Sequence, residues 1–570
     1  MRPAGRRLAA AAALAGAPFL AARPALAADP PAVLVVGVLG VSLPGLVASP
    51  AVRQLVDASS RGGAGLMVAT GVDPIDQLGA VAAEPGTGVV AIRLGDPAEL
   101  RSALAASLGE LDPDARALVM IATTPAPGDP PWLGAAALAE GRAGAMGVAL
   151  AARSEPPEVA STLTSDSTHR IGVITGPDVA ATAIDAAGIL VAADPEGSPI
   201  RVVDAPPPVG LYERYLDQRR LAVPVGIVTG LYALAAGLLG LMLLLTRSGS
   251  PRMRTNAGFA AIAVVPLSAG LMLVGHLDRL TYPTVFVFLA VVAGLALLAM
   301  ATVRRRAGAL GSIAALGAGL LAMFAAEAAL GWTAALTPLL GGAQLDGGRF
   351  FGLPNVQIGL LMGATLYVAQ RLRGWAAGVV LLLTSALFAG LPWTGSNIGA
   401  AVTIAAAAGI WWGLRADAGR LRAVTILRVL AAVLGTVAVV VIAHRYMSDT
   451  PTHISRFASD TGGLAGLWDE AVHRLGVGMD LLVRNPFGLI PVVGVLATLW
   501  LVLRPPAGLR PSLADHPAWR DALVTILLGS VIAYVANDSG AAAIGLGFGT
   551  ALGGLLYVSL ADAPAKMGAA

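Results

Sequence analysis

Residues 221–246 read LAVPVGIVTGLYALAAGLLGLMLLLT, an uncharged run longer than the roughly 20 residues an α-helix needs to cross bilayer hydrocarbon. Comparable apolar runs recur at about 257–275, 283–303, 308–330, 353–370, 374–391, 399–413, 423–443, 487–503, 521–537 and 540–560. The pattern predicts a polytopic α-helical membrane domain of about eleven spans over residues 221–560, with residues 561–570 as a cytoplasmic tail.

The loops between these runs carry the orientation signal. Arg247, Arg252 and Arg254 lie in the first, Arg304 to Arg306 in the third, and Arg371 and Arg373 in the fifth. Arg415, Arg420 and Arg422 follow in the seventh, and Arg504, Arg510 and Arg520 in the ninth. Every odd-numbered loop is therefore basic, which places those loops in the cytoplasm and the even-numbered ones outside.

Upstream, residues 1–27 read as a secretory signal. Arg2, Arg6 and Arg7 form the positive region, and Ala25-Leu26-Ala27 is a small-x-small cleavage site. This agrees with the orientation from the loops and puts residues 28–220 outside the cell. There the pattern changes to short apolar runs alternating with Ala-rich stretches. Strands are predicted at Val33–Leu39, Gly65–Thr70, Val89–Leu94, Ala117–Thr123, Gly144–Ala151 and Ile171–Thr175. Most are continuously apolar, as strands covered on both faces are, so an α/β domain with a mainly parallel sheet is expected. Asp96-Pro97-Ala98-Glu99 and Gly176-Pro177-Asp178 are helix starts, and Ala205-Pro206-Pro207-Pro208 opens a stiff linker.

Composition excludes several classes. Charged residues make up 13% of the 570, and there are no cysteines, so disulfides and thiolate metal sites are ruled out. The formal charge of +3 is spread over short loops rather than one basic face, which argues against a nucleic-acid partner. No nucleotide-binding loop sits between a strand and a helix and no metal-ligand cluster stands out, and the sequence leaves the cofactor unknown.

Four polar islands interrupt the apolar half, and the loop rule puts all of them on the outer side. They are Gly348-Arg349-Phe350-Phe351-Gly352 with Pro354-Asn355, then Ser396-Asn397-Ile398-Gly399, His453-Ile454-Ser455-Arg456, and Asn537-Asp538-Ser539-Gly540. Arginine forks suit phosphate, so Arg349 and Arg456 are candidate phosphate ligands. Asn355, Asn397, His453 and Asn537 are candidate substrate-binding groups. Asp538 is the candidate catalytic acid/base, and a metal-ligand role or an arginine partnership is also open to it. The adjacent glycines allow either close approach of a ligand or tight helix packing. Each island alone also reads as a cap or a solvated turn.

Two further features have paired readings. Leu464, Trp468, Val472, Leu475, Met479 and Leu482 recur at helical spacing, for a helix lying in the interface or packed on the amino-terminal domain. Glu327, inside the fourth run, is either a functional carboxylate at depth or one snorkelling outwards beside Trp332.

Ser167-Thr168-His169-Arg170-Ile171-Gly172, followed by Val173-Ile174-Thr175 and Gly176-Pro177-Asp178-Val179-Ala180-Ala181-Thr182, resembles the late strand-and-helix segment of alkaline-phosphatase-like domains. More closely, it is similar to the extracytoplasmic domain of a group of uncharacterised bacterial multi-pass membrane proteins. The four islands resemble motifs of that group in the same order. The resemblance implies an alkaline-phosphatase-like fold. Leu39-Gly40, however, stands where such phosphatases place a metal-binding aspartate, and His169 is the segment's one histidine, so a non-catalytic relative is expected. In the group, the first island continues into a Gly-Asn-Glu-Tyr-like stretch; here Pro354-Asn355-Val356-Gln357 lacks the carboxylate.

Three functions fit this pattern. One is an envelope membrane protein acting on a lipid-linked, phosphate-containing substrate at the outer face. A transporter or flippase is the second, although no internal repeat is visible. The third is a non-catalytic scaffold whose α/β domain docks an envelope protein, with His169 and Arg170 as no more than a solvated strand end.

Overall fold

The computed structural model describes residues 31–38, 41–68, 89–94, 96–124, 133–143, 145–146, 150, 159–168, 170–187, 197–340, 351–447, 472, 476, 479, 489–537 and 541–561. The amino-terminal elements are β1 (Ala32–Val38), α1 (Leu43–Ala48), α2 (Pro50–Ala58), β2 (Arg61–Val68), β3 (Val89–Leu94) and α3 (Leu100–Gly109). They continue with β4 (Arg116–Thr123), β5 (Leu133–Arg142), β6 (Thr162–Ser165), β7 (Arg170–Ile171), β8 (Val173–Thr175), α4 (Gly176–Ala186) and β9 (Arg201–Val203). The strands form one sheet in the order β3-β1-β4-β5-β2-β6-β7, with β8 beside β2 and β9 beside β6.

The apolar run of β1 is buried on both faces because the sheet is a middle layer. Leu34, Val36 and Val38 pack with Leu46, Leu55 and Leu104 of α1–α3, while Val33 and Val35 pack with Val179 and Ala183 of α4. The start of α4 follows its sequence signal. Thr175 and Asp178 form a reciprocal capping box, with Pro177 in the first turn.

Two expectations about the sheet are corrected. It is mixed rather than mainly parallel: β1 runs parallel to β3 and β4, but β5 runs antiparallel to both β4 and β2. Continuous apolar character reports burial on both faces and carries no direction. The expected strand at Gly144–Ala151 is displaced to β5, and the described residues at 143, 145, 146 and 150 are helical. The Ala-rich sequence of β5 favours helix locally, and pairing on both edges overrides that preference.

The carboxy-terminal part is helical. Its elements are α5 (Val209–Thr246), α6 (Pro251–Ile262), α7 (Val264–Leu273), α8 (Tyr282–Ala329), α9 (Ile358–Ala369), α10 (Trp375–Gly390) and α11 (Ile398–Ala416). They are followed by α12 (Ala423–Tyr446), α13 (Leu489–Leu503), α14 (Arg510–Ala514), α15 (Pro517–Ala536) and α16 (Ala541–Ala561). Among the described residues, seven helical segments are long and apolar enough to cross a membrane, and three shorter apolar helices accompany them. By the length and apolar character of these helices the chain is a multi-pass membrane protein. The 48-residue α8 is broken at Gly308, whose φ of 71° and ψ of −177° are not helical.

The stiff linker that opens at Ala205-Pro206-Pro207-Pro208 is short, because α5 begins directly after Pro208. Its 38 residues span about 57 Å at the α-helical rise. Leu211, Tyr212 and Tyr215 in its first turns are buried in the sheet's core, so this helix belongs to both parts of the molecule. At the bundle end far from the sheet, Arg304 Nη2 donates to the carbonyl of Ala561 at 2.6 Å. Buried Asp521 pairs there with Arg415 and Arg520, while Asp417 pairs with Arg428 and Arg422. The arginine-rich loops thus share that far end.

Candidate functional site

Three of the sequence-predicted residues meet at the bundle end nearest the sheet. Asn397 caps α11: its Oδ1 accepts from the backbone N–H of Ala400 at 2.9 Å. Its Nδ2 donates to the carbonyl of Leu353 at 2.8 Å and to Asn355 Oδ1 at 2.7 Å. One buried amide thus ties the first island to the second. Asn397 uses both amide hydrogens and is a brace in this arrangement.

Asn537, the residue after α15, joins the same junction. A side chain at Gly399 would meet Asn537 Oδ1 and come within 2.8 Å of the carbonyl of Ala536, so only glycine lets α11 and α15 approach this closely. Gly352 is needed for a second reason. Its φ is 97°, and its backbone lies against Gly395, whose carbonyl accepts from the N–H of Leu353 at 2.7 Å. Arg349, His453, Arg456 and Asp538 lie outside the described residues, as do His169 and Leu39-Gly40 and most of the amphipathic stretch at 464–482.

Two buried amides here have atoms without a hydrogen-bond partner among the described residues. Gln357, fully buried, closes the 3-10 turn Asn355–Gln357 that leads into α9 and packs on α16. Neither its Nε2 nor its Oε1 is hydrogen-bonded. Asn537 is 1% exposed; its Nδ2 donates to the carbonyl of Ala533 at 2.9 Å, and its Oδ1 is orphaned. Gln357 is not among the residues singled out by the sequence pattern. Its signal was present, as a polar residue at the mouth of a run whose other positions are apolar.

Beside this junction is a seam between the sheet and the bundle. Arg170 is 8% exposed, which corrects the reading of it as a solvated strand end. Its Nη2 donates to the carbonyl of Trp332 at 3.0 Å. Trp332 holds a left-handed backbone at φ 61° and is fully buried against Phe324 and Phe388. Its N–H donates to the carbonyl of Glu327 at 2.7 Å, and its Nε1 donates to the carbonyl of Thr394, in the loop that carries Asn397. The Glu327 carboxylate hydrogen-bonds His276 Nε2 and accepts from the N–H of Ala334 at 3.3 Å. Glu327 is 2% exposed two residues before the end of α8, so it does not snorkel into solvent; its carboxylate braces the turn beneath Arg170. Burial lowers the Arg170 pKa to about 10 and the nearby Glu327 carboxylate opposes that shift, so Arg170 is a cation at neutral pH.

Among the described residues, no group of three or more His, Asp or Glu side chains is placed to hold a metal ion. Comparison with protein-family models, with curated proteins and with solved structures finds no match to this chain.

Proposed function

We propose that this chain is a bacterial cell-envelope membrane protein of about eleven spans, with a cleaved signal and an extracytoplasmic, degenerate alkaline-phosphatase-like domain. It binds a lipid-linked, phosphate-containing substrate at the outer ends of its helices. One observation carries this reading: Asn355, Asn397 and Asn537, from three separate segments, converge at one bundle end, beside the sheet and opposite the arginine-rich loops. If the basic loops face the cytoplasm, the junction faces out. Arg349 and Arg456 supply guanidinium groups to phosphate, with His453 beside them, and Asp538 serves as acid/base. Asn397 orients Asn355 rather than touching substrate.

A scaffold that docks an envelope protein is the second reading, favoured by the full use of Asn397 as a brace. Mass spectrometry of lipids retained by the gently purified protein separates the two. Wild type is expected to retain a phosphate-bearing lipid that Arg349→Ala plus Asn355→Ala loses. Bulk lipid alone in both preparations refutes substrate binding and favours the scaffold. Turnover of the retained lipid then distinguishes an enzyme from a flippase.

A further inference from the structure

The arginine-rich end of the bundle carries a second cluster, far from the junction. Helix α10 starts there, α11 ends there and α12 starts there, and the three pack on one another. Trp375, at the start of α10, stacks on Trp412 near the end of α11, with ring centroids 5.7 Å and planes 10° apart. Arg428 of α12 lies over the Trp412 ring, 5.5 Å from its centroid, in a cation–π arrangement. Its Nη1 pairs with Asp417 Oδ2 at 2.6 Å, and Arg422 Nη1 stands 3.6 Å from the other oxygen of that carboxylate. These contacts form one unbroken chain from Trp375 to Arg422.

Charge is not balanced within it. Asp417 serves two guanidinium groups, and the Arg422 side chain remains 61% exposed. Arg373, two residues before Trp375, is exposed and has no ion pair among the described residues. Three arginines thus stand against one carboxylate. Further along α12, Leu427, Leu430 and Leu434 are exposed at helical spacing, and Trp375 is 41% exposed. A soluble anion would answer the surplus charge and leave the apolar stripe bare. A zwitterionic lipid would cover the stripe and leave the charge. An anionic phospholipid satisfies both, with the indoles at the level between head and chains.

We propose that this end of α10–α12 holds one anionic diacyl phospholipid. Its phosphate lies on Arg373 and Arg422, its glycerol region against Trp375, and its chains along Leu427, Leu430 and Leu434. The site is separate from the junction and does not depend on the substrate reading.

The test uses the full chain in detergent, with phosphatidylglycerol and phosphatidylcholine of identical acyl chains as probes, and counts bound lipids by native mass spectrometry. Wild type is expected to prefer phosphatidylglycerol about tenfold at one site. Arg373→Gln plus Arg422→Gln should erase that preference. Arg305→Gln plus Arg306→Gln, which removes the same charge from another basic loop, should keep it. Trp375→Ala should weaken binding at unchanged charge, and decides the matter if the first double variant does not fold. The preference should also persist in Arg349→Ala plus Asn355→Ala, which separates this site from the junction. Equal binding of the two lipids by wild type overturns the proposal. Equal losses in the two arginine pairs also overturn it, because basic loops attract anionic lipid in general. Displacement of the lipid by soluble glycerol phosphate would assign the cations to a free anion instead.

Discussion

Arg170 Nη2 lies 3.0 Å from the carbonyl oxygen of Trp332, and this bond joins a strand of the sheet to the helical bundle. From Trp332 the contacts run on without a gap. The indole donates to Thr394, the neighbouring Gly395 accepts from Leu353, and Asn397 in the same loop holds Asn355. The amino-terminal domain is therefore part of the frame that shapes the junction.

Arg170→Ala leaves the Trp332 carbonyl without this donor in a buried seam, at a cost of about 1–3 kcal/mol. Faster hydrogen exchange is expected in residues 331–337 and 391–397, with little change at the far end of the bundle. Arg170→Lys should recover only part of the protection, because lysine lacks the planar fork. Unchanged exchange in both segments would show that the seam does not brace the loop.

The pH dependence of this seam follows from the Arg170 shift. Burial lowers its guanidinium to about 10 when docked, so the docked form binds that proton less tightly. The penalty for burying the cation is constant well below that value and is relieved only as pH rises through about 10. Comparing wild type with Arg170→Met, which carries no titrating group, from about pH 6 to about pH 8 should therefore show no difference in slope of docking against pH. A slope specific to Arg170 in that window would contradict the assignment.

Trp332 separates ring packing from hydrogen bonding. Trp332→Phe keeps an aromatic ring against Phe324 and Phe388 but loses the bond to Thr394, for about 1 kcal/mol. Trp332→Ala removes a fully buried ring as well, for about 3–5 kcal/mol. Denaturation midpoints in one detergent rank the variants, and equal losses would show that the indole N–H matters as much as the ring.

Asn397→Ala removes the cap of α11 and should cost about 1 kcal/mol before the ties to Leu353 and Asn355 are counted. Asn397→Asp retains the capping oxygen but no longer donates to either partner. It should keep α11 intact while reducing retention of the phosphate lipid. Full retention in Asn397→Asp would mean that Asn355 needs no orienting partner.

A control lies at the opposite end. Asp521 is 2% exposed and pairs with Arg415 at 3.3 Å and Arg520 at 3.2 Å. Asp521→Ala strands two arginines in a partly buried site and should cost about 3 kcal/mol. Retention of the junction lipid per folded molecule should not change. A selective loss of that lipid would show that the two ends of the bundle are coupled.

The amino-acid sequence by itself determined where the apolar helices lie, because a run such as 221–246 has one stable conformation in hydrocarbon. It also determined the start of α4, whose capping groups Thr175 and Asp178 are three residues apart and need no distant partner. Strand β1 was legible for the same local reason. Only the tertiary structure decided that β5 lies antiparallel between β4 and β2, since pairing partners and direction leave no mark on hydrophobic periodicity. The convergence of Asn355, Asn397 and Asn537 was likewise invisible, because polar residues at separate helix ends look the same whether they meet or face solvent. The burial of Arg170 and the orphaned amides of Gln357 and Asn537 belong to that second group. Burial and hydrogen-bond satisfaction depend on what the rest of the chain places around a residue, and a single stretch of sequence does not contain that information.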